Sequence, residues 1–264
     1  MLRSVPQPVS NTASEQLLDH LVTFIALGAA VGGFVQGLSG FAFGLTAMAI
    51  WAWSVEPVLA GPLVAFGTLF GQILSIGTVR RGLDAGLIWP FVVGGILGVP
   101  LGVALLPRLD PLAFKLAVGV LLLLWCPAML VARDIPRITV GGRLADALVG
   151  WIGGIMCGIA GLNGPAPTLW TTLRGWDRDR QRAVFQTFSL VTQALTITAY
   201  LATGIIQTGT AWVFAVIVPA MLIPTLIGAR LYRNFTDTGF RRVVLGLLTI
   251  SGAMLVATSL PAFF

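Results

Sequence analysis

Long apolar runs with very few charged residues recur along the chain, and they restrict its possible folds more than any other feature. Six of these runs are uninterrupted. They cover residues 58–79, 85–106, 112–132, 183–203, 210–229 and 243–262. Each has the length of about 20 residues that an α-helix needs to cross roughly 30 Å of hydrocarbon. A membrane β-barrel would instead show short alternating segments, so the pattern predicts an all-α polytopic membrane protein.

The composition and the placement of charge agree with this class. Hydrophobic residues make up 56% of the chain and charged residues only 10%, far below the roughly 25% charge of a soluble domain. The 16 Lys and Arg residues outnumber the 10 Asp and Glu residues, and the basic residues fall mostly between the apolar runs. They therefore signal membrane topology, and the expected partner is the lipid bilayer rather than nucleic acid.

Two further apolar regions are interrupted by glycine-rich stretches that read almost alike. Gln36–Gly40 interrupts residues 21–53, and Cys157–Pro165 interrupts residues 144–173. Four glycines within residues 32–40 recur with the same spacing 121 residues later. Interruptions of a helix at membrane depth are tolerated where they are buried in protein or line a cavity. When they occur at matching positions in two halves, they indicate the binding site of a transporter.

The internal repeat extends beyond the glycines. Thr68 and Gln72 match Ser189 and Gln193 at the same offset of 121 residues. Weaker matches near the end of each half follow in the same order, so we predict a duplicated chain. Its expected parts are a flexible tail at residues 1–19, membrane repeats at 20–132 and 144–264, and a cytoplasmic linker at 133–143.

Basic residues in the short loops predict how the two halves are related, because Lys and Arg mark the cytoplasmic side. The loop after the first broken region has no basic residue, whereas its counterpart, Arg174–Arg182, has four arginines. The following loop reverses this order, with Arg80 and Arg81 in the first half and no basic residue in 203–209. We therefore expect inverted topology, with both termini outside the cytoplasm.

Inversion requires an odd number of crossings in each half. Three spans supply it if each broken region is a re-entrant helical hairpin that enters and returns on one side. Residues 41–53 support this arrangement, because as a helix they would rise only about 20 Å. If both broken regions crossed fully, the chain would instead have eight spans and a parallel repeat.

Two such hairpins would bring their tips together near the bilayer midplane. Each tip precedes a second half-helix, one beginning near Phe41 and the other near Pro165, with Ser39 and Asn163 as candidate caps. Unpaired N–H groups and the positive end of a helix dipole form an anion site there without a formal charge. The expected substrate contacts are Gln36, Gly37, Ser39, Gly40, Phe41, Gln72, Cys157, Gly158, Gly161, Asn163, Gly164 and Gln193.

These candidates have structural alternatives. Glycines four residues apart in apolar helices commonly serve helix packing. Gln72 and Gln193 could make hydrogen bonds between helices instead of contacts to a ligand. For the tips we favour binding, because the glycines cluster with Asn163 and Pro165. For the two glutamines both interpretations stay open.

Enzymatic and metal chemistry have little support in this sequence. The chain has two cysteines, Cys126 and Cys157, both within apolar segments, and a single histidine, His20, at the start of the first. An intramembrane enzyme needs a nucleophile with a base, or clustered metal ligands. We therefore expect no enzyme activity, no metal and no cofactor.

The glycine-rich breaks, together with Gly228-Ala229-Arg230-Leu231 at the end of the next-to-last span, resemble the sulfite exporter family (TauE/SafE), also called the 4-toluene sulfonate uptake permeases. The similarity covers nearly the whole chain from about residue 20. It implies a bacterial inner-membrane carrier of a sulfur-containing anion such as sulfite, sulfoacetate, another organosulfonate or thiosulfate.

The resemblance would carry over four glycines as motif positions, namely Gly37, Gly40, Gly158 and Gly161. Residues 163–167 depart from the simpler glycine run expected at the second break. The leading hypothesis is a secondary transporter that exports its anion by alternating access. An anion channel and an importer of sulfonate or thiosulfate are the alternatives.

Overall fold

The computed structural model describes residues 11–39, 42–75, 85–132, 137–207, 211–231 and 237–263. Within these ranges the regular structure is entirely helical, which confirms the predicted all-α polytopic class. The α-helices are α1 (Asn11–Ser39), α2 (Phe43–Trp51), α3 (Pro57–Ser75), α4 (Ala85–Leu105), α5 (Pro111–Val131), α6 (Gly142–Ala160), α7 (Pro165–Leu173), α8 (Arg178–Ala202), α9 (Ala211–Leu231) and α10 (Asp237–Ser259). Short 3-10 turns follow α4 and α10.

Both halves have the same order of elements. A long helix is followed by a helix of nine residues, α2 or α7, and then by three long helices. The six uninterrupted runs of the sequence correspond to α3, α4, α5, α8, α9 and α10. Residues 11–19, expected as part of a flexible tail, form the beginning of α1.

Eight helices in the described part of the chain are long and apolar enough to cross a membrane, two more than the sequence analysis assigned as full spans. The additional two are α1, through Asp19–Leu38, and α6, through Gly142–Ala160. Both continue through most of their glycine-rich motif, and the breaks follow it. Among the described α-helices, α2 and α7 are the short ones, and nine helical residues rise about 14 Å.

Close packing explains why these helices do not break at their glycines. The most extensive helix contacts in the structure join α4 to α6 and α1 to α9. A Cβ atom at Gly94 would meet the backbone of Ala147, and one at Gly102 would meet the backbone of Ile155. Small residues allow two backbones to approach this closely. Because the contacts advance along both helices together, α4 and α6 are parallel.

The pair α1 and α9 is built in the same way. A Cβ atom at Gly33 would lie 2.5 Å from the carbonyl oxygen of Met221, and one at Gly37 would meet the backbone of Thr225 and Ala229. Thr225 also donates a hydrogen bond to the carbonyl oxygen of Gly33. These contacts again advance together, so α1 and α9 are parallel.

The helix α2 turns back along α1 to form the first hairpin. At its end, the Trp51 indole N–H lies 3.2 Å from the carbonyl oxygens of both Phe24 and Ile25. At its beginning, the Phe43 ring occupies the space beside Gly67, near the middle of α3. The hairpin therefore returns to the side from which α1 started, and α2 begins about halfway along a neighbouring span.

The second hairpin, α6 and α7, has the same form. Near the end of α7, Arg174 makes an ion pair with Asp146, in the first part of α6, at 2.7 Å. Helix α8 then runs in the direction of α6. Gly153 faces Phe188, and further along, the carbonyl oxygen of Gly158 accepts a hydrogen bond from Tyr200.

Candidate functional site

A small cavity, mostly apolar but with a few polar groups in its lining, lies between the two hairpins, near the middle of the spans. Its volume is about 20 Å³, which is room for about one water molecule. The first half contributes Thr68, Trp125 and the beginning of α2. The second half contributes residues 161–165 and Thr168. The beginnings of α2 and α7 therefore face the same cavity.

Helix α8 holds the second tip in place. The Asn163 side chain donates hydrogen bonds to the hydroxyls of Ser189, at 2.9 Å, and Thr192, at 3.0 Å. The Gln193 amide donates to the carbonyl oxygen of Gly161 at 2.7 Å and accepts from the Cys157 thiol at 3.4 Å. The polar groups predicted for this tip are thus brought together, and they bond to one another.

A left-handed turn closes α6 at this tip. Gly161 has a φ of +68°, a conformation that glycine adopts without the strain a Cβ atom would cause. The backbone there also passes close to the first half, since a Cβ atom on Gly161 would lie 2.6 Å from the Ala65 amide nitrogen.

The equivalent groups of the first half have no such partners. Thr68, which matches Ser189, is 3% exposed, and Gln72, which matches Gln193, is 1% exposed. The Thr68 hydroxyl and both polar atoms of the Gln72 amide lack any hydrogen-bond partner among the residues that the structure describes. For Thr68 one reason is visible in the sequence, because Ala42 stands where the second half has Asn163, the donor to Ser189.

Unpaired polar groups at such depth require an explanation. A buried donor or acceptor left without a partner costs about 1–3 kcal/mol, and native structures contain few of them. The Thr46 hydroxyl on α2 is a third unpaired group of the first half. Of these side chains Thr68 lines the cavity, and Gln72 follows it by one turn on α3.

The prediction that Ser39 and Asn163 are N-cap residues is wrong. Helix α2 has Ala42 at its N-cap and α7 has Gly164, and neither position makes a side-chain capping bond. Ser39 instead ends α1, and Asn163 bonds to α8. Helix α7 begins at Pro165, as expected, where proline has no intrahelical donor to lose. Helix α2 begins at Phe43, two residues after the expected start.

The remaining candidates have separate places in the structure. The Gln36 side-chain oxygen accepts a hydrogen bond from the Phe43 amide at 3.1 Å, so this side chain satisfies the first N–H group of α2. Gly164 lines the cavity. Gly40 and Phe41 lie outside the described residues.

Two predicted glycines lie at helix crossings rather than at the cavity. Gly37 packs against the backbone of α9, and Gly158 packs against the backbone of Val99 and Val103 on α4. Close helix packing accounts for both positions. The binding interpretation of the glycine motif is therefore best supported at Gly161 and Gly164, the positions that line the cavity.

The electrostatics of the cavity come from uncharged groups. Its described lining contains no ionisable side chain. The Trp125 indole donates to the carbonyl oxygen of Pro165 at 2.7 Å and so holds α5 against the first residue of α7. The positive ends of the α2 and α7 dipoles favour negative charge within about one turn of their N-termini.

Comparison with known proteins identifies the protein family. The model of the sulfite exporter TauE/SafE family matches residues 24–255. The chain belongs to this family. It is therefore a multi-pass protein of a membrane transporter family, and not of an enzyme family. Searches of curated proteins and of solved structures found no significant match.

Sequence reasoning missed two features of this TauE/SafE protein. Trp125 lines the cavity, and its place well inside α5 separates it from tryptophans at span ends. Asp146 is 3% exposed and bonds to both Arg174 and the Trp170 indole N–H. This pair depends on the hairpin geometry, because its members lie far apart along the chain.

A larger groove adjoins the cavity on its α5 side. It has a volume of about 870 Å³ and shares Trp125 and Pro165 with the cavity. Its other lining residues are apolar and come from α5, α6 and α7. Such a lining supplies no hydrogen-bond donors for an oxyanion, so the smaller cavity is the better candidate for the transported charge.

Proposed function

We propose that the protein is a secondary transporter that exports a small sulfur-containing anion across the bacterial inner membrane. Sulfite, sulfoacetate and other organosulfonates are the candidate substrates. Family membership supports the transporter class and the sulfur-anion class. The direction and the particular substrate are inferred from the site and from the electrical driving force.

The observation that carries this proposal is the set of unpaired neutral groups beside the cavity. Thr68 lines the cavity where α2 and α7 begin, Gln72 follows it by one turn on α3, and both are buried without partners. A hydroxyl, an amide and two helix N-termini can bind oxyanion oxygens without a formal positive charge. Hydrogen bonds to charged groups contribute about 1.5–3 kcal/mol each, so a few of them give useful affinity and still permit release.

Inverted topology of the two halves follows if successive spans alternate in direction across the membrane. Helix α4 is then opposite to α3, and the contacts described above make α4 parallel to α6 and α6 parallel to α8. The equivalent helices α3 and α8 therefore run in opposite directions. The parallel course of α6 and α8 also supports re-entrant hairpins, because a chain of eight alternating crossings would make these two helices antiparallel.

Orientation in the membrane rests on the loops. The residues between α7 and α8 and at the start of α8 include Arg174, Arg180 and Arg182, so we place this end in the cytoplasm. The loop between α2 and α3 then lies outside, together with both termini. The hairpins enter from opposite sides and meet at the cavity.

Alternating access is the mechanism that fits this geometry. The cavity has room for about one water molecule, so the helices around it must move to admit an anion. Transport then requires one half to rock against the other and open each side in turn. A monovalent anion leaving a negative interior gains about 2.3 kcal/mol per 100 mV, which drives export without a coupled ion.

A flux assay in proteoliposomes tests the proposal. With an imposed membrane potential, we expect saturable movement of sulfite or sulfoacetate towards the positive side, and counterflow when both sides contain substrate. Flux that does not saturate and large single-channel currents would favour an anion channel. Uptake against the potential would favour an importer, and no movement of any sulfur anion would refute transport of this class.

A further inference from the structure

Gln186 is a buried amide in the second half that neither the fold nor the cavity explains. It is 4% exposed, and neither its side-chain nitrogen nor its oxygen has a hydrogen-bond partner among the described residues. It precedes Gln193 on α8 by nearly two helical turns. The two side chains therefore share one face, and Gln186 lies about 10 Å closer to the arginine-rich end.

The fold does not need a polar side chain at this position. Ala65 stands at the equivalent position of the first half, so the repeat is built without an amide there. Gln181, further towards the start of the same helix, shows how a structural glutamine behaves. Its amide donates to the carbonyl oxygen of Trp176 at 2.7 Å. An apolar residue in place of Gln186 would avoid the cost of desolvating an unpaired amide.

Unpaired buried groups are concentrated in one region of the molecule. In the part of the chain that the structure describes, such side-chain atoms occur on five residues, and four of them lie on α2, α3 and α8. The four are Thr46, Thr68, Gln72 and Gln186. Because α3 packs against both α2 and α8, these four residues lie on helices in contact with one another.

We propose that Gln186 is a second contact for the transported anion, on the α8 face between the cavity and the loop 174–182. Its side-chain N–H group donates to an oxygen of the sulfite or sulfonate as the anion passes between that loop and Thr68. This proposal rests on the proposed function. It adds a binding position that is absent from the equivalent path in the first half, where Ala65 has no donor.

The test compares Gln186→Met with Gln181→Met in the purified full-length protein. Binding of sodium sulfite and of sulfoacetate is measured by titration calorimetry, and the Tm is measured for each variant. For Gln186→Met we expect a dissociation constant raised about 10- to 100-fold, the value of one hydrogen bond to a charged group, with an unchanged or higher Tm. For Gln181→Met we expect the converse, a lower Tm and unchanged affinity.

Each other outcome refutes the proposal in a recognisable way. Unchanged affinity in Gln186→Met, with binding by the wild type, would remove this contact and leave the transporter function standing. A lower Tm together with weaker binding would assign the residue a structural role. If the wild-type protein binds neither anion, the proposed function fails first and this inference fails with it.

Discussion

Replacing Gln72 and Gln193 by methionine, one at a time, distinguishes a binding role from a structural role. The two residues occupy equivalent repeat positions but differ in their hydrogen bonds. Methionine is close to glutamine in size and shape, so packing changes little. Gln72 leaves two buried polar atoms unpaired, and its removal eliminates that cost. Gln193 bonds to the carbonyl oxygen of Gly161 and to Cys157, and its removal leaves both without this partner.

The expected changes in stability therefore have opposite signs. Removing an unpaired buried amide recovers about 1–3 kcal/mol, and a shape-conserving replacement in a packed interior costs under about 1.5 kcal/mol. Together these ranges predict that Gln72→Met changes the free energy of unfolding by about −0.5 to +3 kcal/mol, so a gain is the expected result. Gln193→Met should lower it by about 1–3 kcal/mol. At about 2–4 °C per kcal/mol, the two Tm values should differ by several degrees.

Thermal unfolding of both variants in detergent, followed by tryptophan fluorescence, measures this difference. Flux in proteoliposomes provides the second readout. Gln72→Met should transport the anion more slowly while remaining at least as stable as the wild type. The reasoning would be refuted if Gln72→Met lost as much stability as Gln193→Met, because Gln72 would then have a structural partner.

Three further changes test other parts of the structure. Ala42→Asn introduces the side-chain amide that the second tip has, so we expect a higher Tm and slower flux. Unchanged flux would contradict the idea that transport depends on the absence of these hydrogen bonds at the first tip. Asp146→Asn weakens the ion pair with Arg174 and should lower the Tm. The decrease in Tm should be the same at high salt, because the pair is mostly buried. Gly98→Ala forces a Cβ atom against α6 and should be destabilising by more than 1 kcal/mol, whereas Gly246→Ala enters open space and should be neutral or stabilising. Equal Tm values for these two would refute the packing argument.

The spans were predictable because hydrophobic length and charged loops fix them independently of tertiary contacts. The apolar run 85–106 became α4, Ala85–Leu105, and the run 112–132 became α5, Pro111–Val131. The start of α7 at Pro165 followed from proline chemistry. These features depend on residues close together in the chain.

The ends of α1 and α6 were misplaced because glycine has two opposite uses in a membrane. At Gly37 and Gly158 it admits a neighbouring backbone and the helix continues. At Gly161 it takes a positive φ and the helix ends. The spacing of the glycines is the same for both uses, and only the position of the partner helices α4 and α9 distinguishes them.

The sequence repeat also could not predict that the two glutamines differ in their hydrogen bonds. Gln72 and Gln193 are equivalent in sequence, but their partners come from other elements. Gln193 bonds to Gly161 and Cys157, whereas Gln36, which stands where the second half has Cys157, accepts from the Phe43 amide instead. The sequence therefore located the two polar faces, while the structure showed that Thr68 and Gln72 lack the hydrogen-bond partners that Ser189 and Gln193 have.

The central claim is that two helical hairpins enter from opposite sides of the membrane and meet around the bound anion. Single cysteines in place of Ser54 and Asp179, both exposed, test it most directly in a background without Cys126 and Cys157. We expect an impermeant maleimide added outside intact cells to label position 54, and position 179 to react only after the membrane is opened. Labelling of both positions from the same side would contradict the claim.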